Sequence, residues 1–208
     1  MRICYAESDD YLSAMNYFIT AIGTDSGKTL VSAIFCEALQ ADYWKPVQAG
    51  LPRDTDTVRG LISNEHTIFH QEQYLLRTPV SPHAAAKIDQ TAISLSSFKI
   101  PKTVNDLIIE GAGGCLVPLN EENFIIDLVS RIRAEVVLVS NHYLGSINHT
   151  LLTLEALNRR SLPIKGVVFN GQPNFETERI ILQHAKVKCL LAIGNEPEIN
   201  RDIVKKYA

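Results

Sequence analysis

The stretch Thr20-Ala21-Ile22-Gly23-Thr24-Asp25-Ser26-Gly27-Lys28-Thr29 follows directly on the apolar run Tyr17-Phe18-Ile19. An apolar strand therefore runs into a glycine-containing turn, and Gly27-Lys28-Thr29 opens a helix. This is the layout of a phosphate-binding loop, in which free N–H groups of the loop and of the helix N-terminus point at phosphate oxygens. Lys28 supplies a mobile positive charge, and the Thr29 hydroxyl is placed to ligate Mg²⁺. Ala21 stands where the first glycine of such a loop is expected. Its methyl group is tolerated if the residue keeps a negative φ. The competing reading is an ordinary strand-turn-helix with an exposed lysine; the strand before and the helix after both weigh against it.

The chain has 208 residues, enough for a full sheet with helices on both faces. A hydrophobic fraction of 46% with 21% charged residues is that of a water-soluble globular protein. The net charge of −3 argues against a nucleic-acid or membrane-surface footprint. No apolar run is long enough to span a bilayer. Cys4, Cys36, Cys115 and Cys189 are far apart, which fits reduced thiols in a cytoplasmic protein better than disulfides or a metal cluster. Residues 1–14 carry no signal-peptide layout and no periodicity. They read as a disordered or loosely docked extension from an upstream start, ahead of a single domain over 15–208.

Strands and helices then alternate. Apolar runs suited to buried parallel strands cover Tyr17–Thr20, Tyr43–Val47, Asp106–Glu110, Glu135–Ser140, Ile164–Asn170 and Val187–Ala192. Helix-period segments cover Lys28–Gln40, Asp56–Ser63, Ile125–Arg133, Ile147–Arg160 and Glu176–Lys186. The expected fold is α/β, a parallel sheet flanked by helices on both faces. Ligands of such sheets bind beyond the carboxyl ends of the strands. The polar residues and glycines collect there: the loop after the first strand, Lys45-Pro46-Val47-Gln48-Ala49-Gly50, Glu110-Gly111-Ala112-Gly113-Gly114, Asn141 to Ser146, and Asn170-Gly171.

Each strand end offers chemistry. Lys45 precedes a proline, which holds it extended; its ammonium either neutralises a transferring phosphoryl group or snorkels at the strand end. Asp54 and Asp56 lie at a loop-to-helix transition, where one is expected to cap. Asp56 reads equally as a ligand for Mg²⁺, a hard cation that takes carboxylate oxygen. Glu110 closes the buried run Leu107-Ile108-Ile109, where a carboxylate is costly unless paired or bound to metal. A glycine-rich turn follows it. Ser146 is expected to cap the helix starting at Gly145-Ser146-Ile147-Asn148, whose free N–H groups also suit an anion. His83 and His149 read as packing or hydrogen-bonding residues.

Together these segments resemble the dethiobiotin synthetase family, from about Met15 to Asn170. The resemblance rests on Gly23 to Thr29, Lys45 to Gly50, Ser81-Pro82-His83, Glu110 to Gly114 and Leu144 to His149. It implies a P-loop fold and ATP-dependent carboxylation of 7,8-diaminononanoate by CO₂. The carbamate is phosphorylated and the second amine closes the ureido ring. By resemblance, Gly23, Thr24, Asp25, Ser26, Gly27, Lys28 and Thr29 hold the nucleotide, with Asn170 at the purine. Lys28 and Lys45 are catalytic, and Thr29, Asp56 and Glu110 surround the Mg²⁺. The diamine meets Asp25, Lys45 and Ala49. Its distant carboxylate meets Gly145, Ser146, Ile147 and Asn148 across a homodimer interface. Two departures stand out. Ala49 replaces a common Ser or Thr and lacks its hydroxyl, and Ala192-Ile193-Gly194-Asn195 replaces the family's turn at the base pocket. The alternative is a regulatory or positioning ATPase acting by nucleotide-dependent dimerisation. Such proteins carry a second lysine where this chain has Gly23.

Overall fold

The structure is a computed structural model describing residues 14–208. The expected extension over residues 1–14 lies, Ala14 apart, outside the described residues. In chain order the elements are β1 (Asn16–Ala21), α1 (Lys28–Leu39), β2 (Asp42–Trp44), β3 (Val47–Ala49), α2 (Asp54–Leu61), β4 (Phe69–His70), β5 (Tyr74–Leu76), α3 (Pro82–Ile88), β6 (Leu107–Gly114), α4 (Asp127–Ile132), β7 (Glu135–Asn141), α5 (Ser146–Arg159), β8 (Ile164–Asn170), α6 (Phe175–Ala185), β9 (Cys189–Ile193) and α7 (Arg201–Tyr207). Among the described residues seven strands form one sheet in the order β4-β2-β6-β1-β7-β8-β9, parallel at every pairing. The expected α/β fold is the one observed.

The two faces follow from the period-two alternation of strand side chains. Phe18, Trp44, Ile109, Leu138 and Phe169 pack on one side with Leu128 of α4, Leu154 of α5 and Ile181 of α6. Ile19, Tyr43, Ile108, Val139 and Val168 pack on the other with Ile34 of α1 and Val204 of α7. Strands buried on both faces need continuous apolar sequence, and that is what made them readable. From β1 the chain winds outward to β2, and after β6 it crosses to β7, β8 and β9 on the far side. The winding direction thus reverses beside β1, where open parallel sheets bind ligands.

Three local expectations change. The run Tyr43–Val47 is not one strand. Pro46 has no N–H to continue the ladder, so β2 stops at Trp44 and β3 pairs instead with β5 in a separate two-stranded parallel sheet. The segment after Glu110 is not a turn: β6 runs on to Gly114, with a register irregularity opposite Ile19 to Ala21. Ser146 is not a cap either. Gly145, at φ 112°, holds the N-cap position, and Ser146 is the first helical residue. The short α3 and α7 had not been expected. Asn200 caps α7, its side chain accepting from the N–H groups of Asp202 and Ile203.

Candidate active site

The loop between β1 and α1 is built by backbone conformation. Asp25 (φ 56°) and Gly27 (φ 98°) both take left-handed backbone. At Gly27 the Asn170 side chain lies where a Cβ would stand, so only glycine fits. Ala21 is the fully buried last residue of β1 and is not among the positive-φ residues, so its methyl group is core rather than an intrusion. The Ser26 hydroxyl and the Lys28 ammonium both donate to the Gly23 carbonyl at 3.2 Å. Asn170 donates from Nδ2 to the Ser26 carbonyl at 3.0 Å, bracing the loop from the end of β8.

Beside the loop lies a cavity of about 670 Å³, bordered by Asp25, Lys28, Lys45, Asp54, Ser81 and Glu110 among others. Its centre is a charged network. Lys45 donates to Asp54 Oδ2 at 2.6 Å, to Glu110 Oε1 at 3.0 Å and to the Gly111 carbonyl at 2.9 Å. Three acceptors saturate an ammonium. Glu110, only 1% exposed, also accepts from the Thr29 hydroxyl at 3.0 Å on Oε1 and from the Tyr43 hydroxyl at 3.0 Å on Oε2. The cost of burying this carboxylate is offset by those three donors, Lys45, Thr29 and Tyr43.

The two lysines are tuned in opposite directions. Burial, reinforced by the charge of Lys45, pulls the Lys28 ammonium down to about 8. Burial alone would pull Lys45 down too, but Glu110 and Asp54 outweigh it and hold its ammonium above the ordinary lysine value. Lys45 is therefore a fixed cation, and Lys28 is a cation in need of a counter-charge.

Among the expected residues, Thr24, Asp25, Gly27, Lys28, Thr29, Lys45, Ala49 and Glu110 border this one cavity. Asp56 does not reach it. It lies on the exposed face of α2, where Arg53 (2.8 Å) and Arg59 (3.1 Å) hold it. One helical turn geometry explains the difference: residues two apart on a helix point to different sides. The carboxylate at the cavity is Asp54, and neither aspartate caps α2. The Asp54 N–H is instead taken by Gln48 Oε1 at 3.0 Å. Gly145, Ser146, Ile147 and Asn148 lie away from the cavity at the start of α5. Ile147 is exposed, and so are Tyr143 and Leu144 just before them. Asn170 touches the loop rather than the cavity.

Sequence reasoning missed Tyr43, although its place two residues before Lys45 on β2 was visible, and it passed over Gln48. Ser81, at the N-cap position of α3, makes no cap hydrogen bond; its hydroxyl meets His83 Nδ1 at 3.0 Å at the cavity edge.

A sheet wound in this way around a Gly-Lys-Thr helix start defines a P-loop nucleotide-binding protein. Solved structures agree in fold. A ParA family ATPase from Chlorobium tepidum superposes with a TM-score of 0.56 over 93% of this chain and 92% of its own, at 10% identity. The MinD cell division protein of Aquifex aeolicus gives 0.51 over 93% and 86%, at 16% identity. Residues 15–202 match the family described as AAA domain. The chain is 58% identical over 194 residues to the ATP-dependent dethiobiotin synthetase BioD of Cytophaga hutchinsonii, covering 92% of this chain and 94% of the relative. To the protein of that name from Christiangramia forsetii it is 50% identical over 195 residues, covering 93% and 94%. The chain belongs to the dethiobiotin synthetase family.

Proposed function

We infer that this protein is an ATP-dependent ligase of biotin biosynthesis, which carboxylates 7,8-diaminononanoate with CO₂ and closes the ureido ring to give dethiobiotin, ADP and phosphate. The observation that carries the site reading is Lys45, locked between Asp54 and Glu110 beside the Lys28-Thr29 loop. One amine of the diamine attacks CO₂, forming a C–N bond and a carbamate. A carbamate oxygen then takes the γ-phosphoryl group as the bond to ADP breaks. The second amine attacks the carbamoyl carbon, phosphate leaves, and the amine's proton passes to solvent. Every partner in the middle step is anionic, so Lys28 and Lys45 stabilise it by offsetting charge. Asp25, at the cavity edge, offers a carboxylate to a diamine ammonium.

The donor set suits Mg²⁺. Thr29, Asp54 and Glu110 present hydroxyl and carboxylate oxygen, the hard ligands that Mg²⁺ combines with substrate phosphates. No group of three His, Cys, Asp or Glu able to hold a metal by itself occurs among the described residues. When bound, the ion neutralises phosphate charge.

We also propose that residues 15–208 act as one cytoplasmic P-loop domain and that two copies pair through the start of α5. The support is the exposed apolar surface there: Leu144 is 104% exposed and Tyr143 45%. The free N–H groups of α5 would then receive the diamine's carboxylate. No described helix is long and apolar enough to cross a membrane. The regulatory-ATPase alternative draws no support, since the neighbours of that kind share the fold alone.

Phosphate release measured with and without 7,8-diaminononanoate and bicarbonate, with the product weighed by mass spectrometry, tests the assignment. Phosphate release strictly dependent on both, with a ring-closed product, is expected. Diamine-independent hydrolysis with no cyclised product would overturn it.

A further inference from the structure

Thr29 and Lys45 both meet Glu110 at Oε1, the edge turned to the phosphate-binding loop; among the described residues the other oxygen has a single partner, Tyr43. That phenol is fully buried, and the register places Tyr43 opposite Ile108, two residues before Glu110 on the same face of β6. The ring therefore lies along Ile108 and packs against Phe69 at 5.8 Å between centroids, while its hydroxyl reaches Glu110 Oε2 at 3.0 Å. The surroundings of the ring are apolar, with Ile34, Cys36 and Ile108 in the same core cluster. A phenylalanine would satisfy the packing. Only the hydroxyl needs Glu110 as its explanation.

We propose that Tyr43 is a positioning residue for the divalent cation, fixing the Glu110 carboxylate so that Oε1 stays turned toward Thr29. The inference rests on the reading that Glu110 serves the metal. Mg²⁺ demands near-octahedral geometry, and a carboxylate free to rotate about its last torsion presents its lone pairs in many directions. Thr29 and Lys45 hold one oxygen of Glu110, and a hydrogen bond to the far oxygen removes the freedom that remains. Partners of this kind, one step behind the ligands, change metal affinity ten- to a hundredfold when lost.

The test is Mn²⁺ binding, read by electron paramagnetic resonance at saturating non-hydrolysable ATP analogue, for the parent, Tyr43→Phe, Glu110→Gln and Tyr74→Phe. Tyr74, whose hydroxyl meets Ser97 on the surface, controls for loss of a phenol elsewhere. Tyr43→Phe should weaken Mn²⁺ about ten- to a hundredfold, with Tyr74→Phe at the parent's value and nucleotide affinity in EDTA unchanged. Parental Mn²⁺ affinity in Tyr43→Phe, with Glu110→Gln impaired, overturns the role of Tyr43 alone. Parental affinity in Glu110→Gln overturns the metal reading and the role of Tyr43 with it. Equal weakening in Tyr43→Phe and Tyr74→Phe marks general loosening and also refutes the proposal. Should Tyr43→Phe fold poorly, Tyr43→Leu gives the second reading, and parental affinity in its folded fraction refutes it equally.

Discussion

Raising the pH from 7 to 9 should turn nucleotide binding into a proton-consuming step, because Lys28 titrates between those values in the free protein. With its ammonium pulled down to about 8, Lys28 is about nine-tenths protonated near pH 7 and about one-tenth near pH 9. Phosphate oxygens favour the charged form and return it toward the ordinary lysine value of about 10.4. Binding should then take up about 0.1 proton near pH 7 and about 0.9 near pH 9, and the affinity should fall about tenfold over that range. Titration calorimetry of ADP with Mg²⁺, repeated in buffers of different ionisation enthalpy, gives the proton count as a slope. The same linkage works on stability. The folded-state value is depressed, so between about 8 and 10.5 the unfolded chain binds more protons and the nucleotide-free protein gains stability as pH rises. That penalty, about 3 kcal/mol at full extent, disappears in Lys28→Met, which should melt higher than the parent near pH 7. A slope near zero at pH 9, or equal slopes at both pH values, would refute the burial argument for Lys28.

Asp54→Asn should lower turnover at least tenfold by freeing one side of Lys45, whereas Asp56→Asn removes only solvent-screened pairs with Arg53 and Arg59 and should leave turnover within about twofold; steady-state kinetics on both variants decides between the two aspartates. Gly27→Ala should cost about 1–2 kcal/mol from left-handed backbone alone, and more from displacement of Asn170, read as a lowered melting temperature and a raised ATP KM. Asn148→Asp should raise the KM for the diamine with ATP binding near normal, since a carboxylate at the start of α5 repels that of the substrate. Mixed with Lys28→Ala, it should regain activity as subunits exchange, because one of the two composite sites then carries neither lesion. No regain despite proven exchange would count against a site shared between subunits.

What the sequence disclosed and what it withheld divide along a physical line. The inner strands of the main sheet are buried on both faces, so runs such as Val136 to Val139 had to be continuously apolar, and the parallel arrangement followed from alternation with helices. The loop from Gly23 to Thr29 was equally plain, because its chemistry depends on local spacing. Choices made by tertiary contact were not. Asp54 and Asp56 are equivalent as text; Lys45, forty-five residues into the chain and held by Glu110 from β6, selects Asp54, while the local Arg53 and Arg59 take Asp56. Pro46 signalled extended backbone at Lys45, yet its larger effect was to end β2 and send Val47 to Ala49 to a different partner strand, β5, whose three residues are too few for a period to be counted. The serine at 146 obeyed capping statistics that a preceding glycine with positive φ overrode. Most telling is Tyr43. In sequence it is one more aromatic in a buried strand, and nothing local separates a ring that fills space from a ring that carries a hydroxyl to a carboxylate on the next strand. The register between β2 and β6 makes that distinction, and register is the one property of a parallel pair that neither strand encodes by itself.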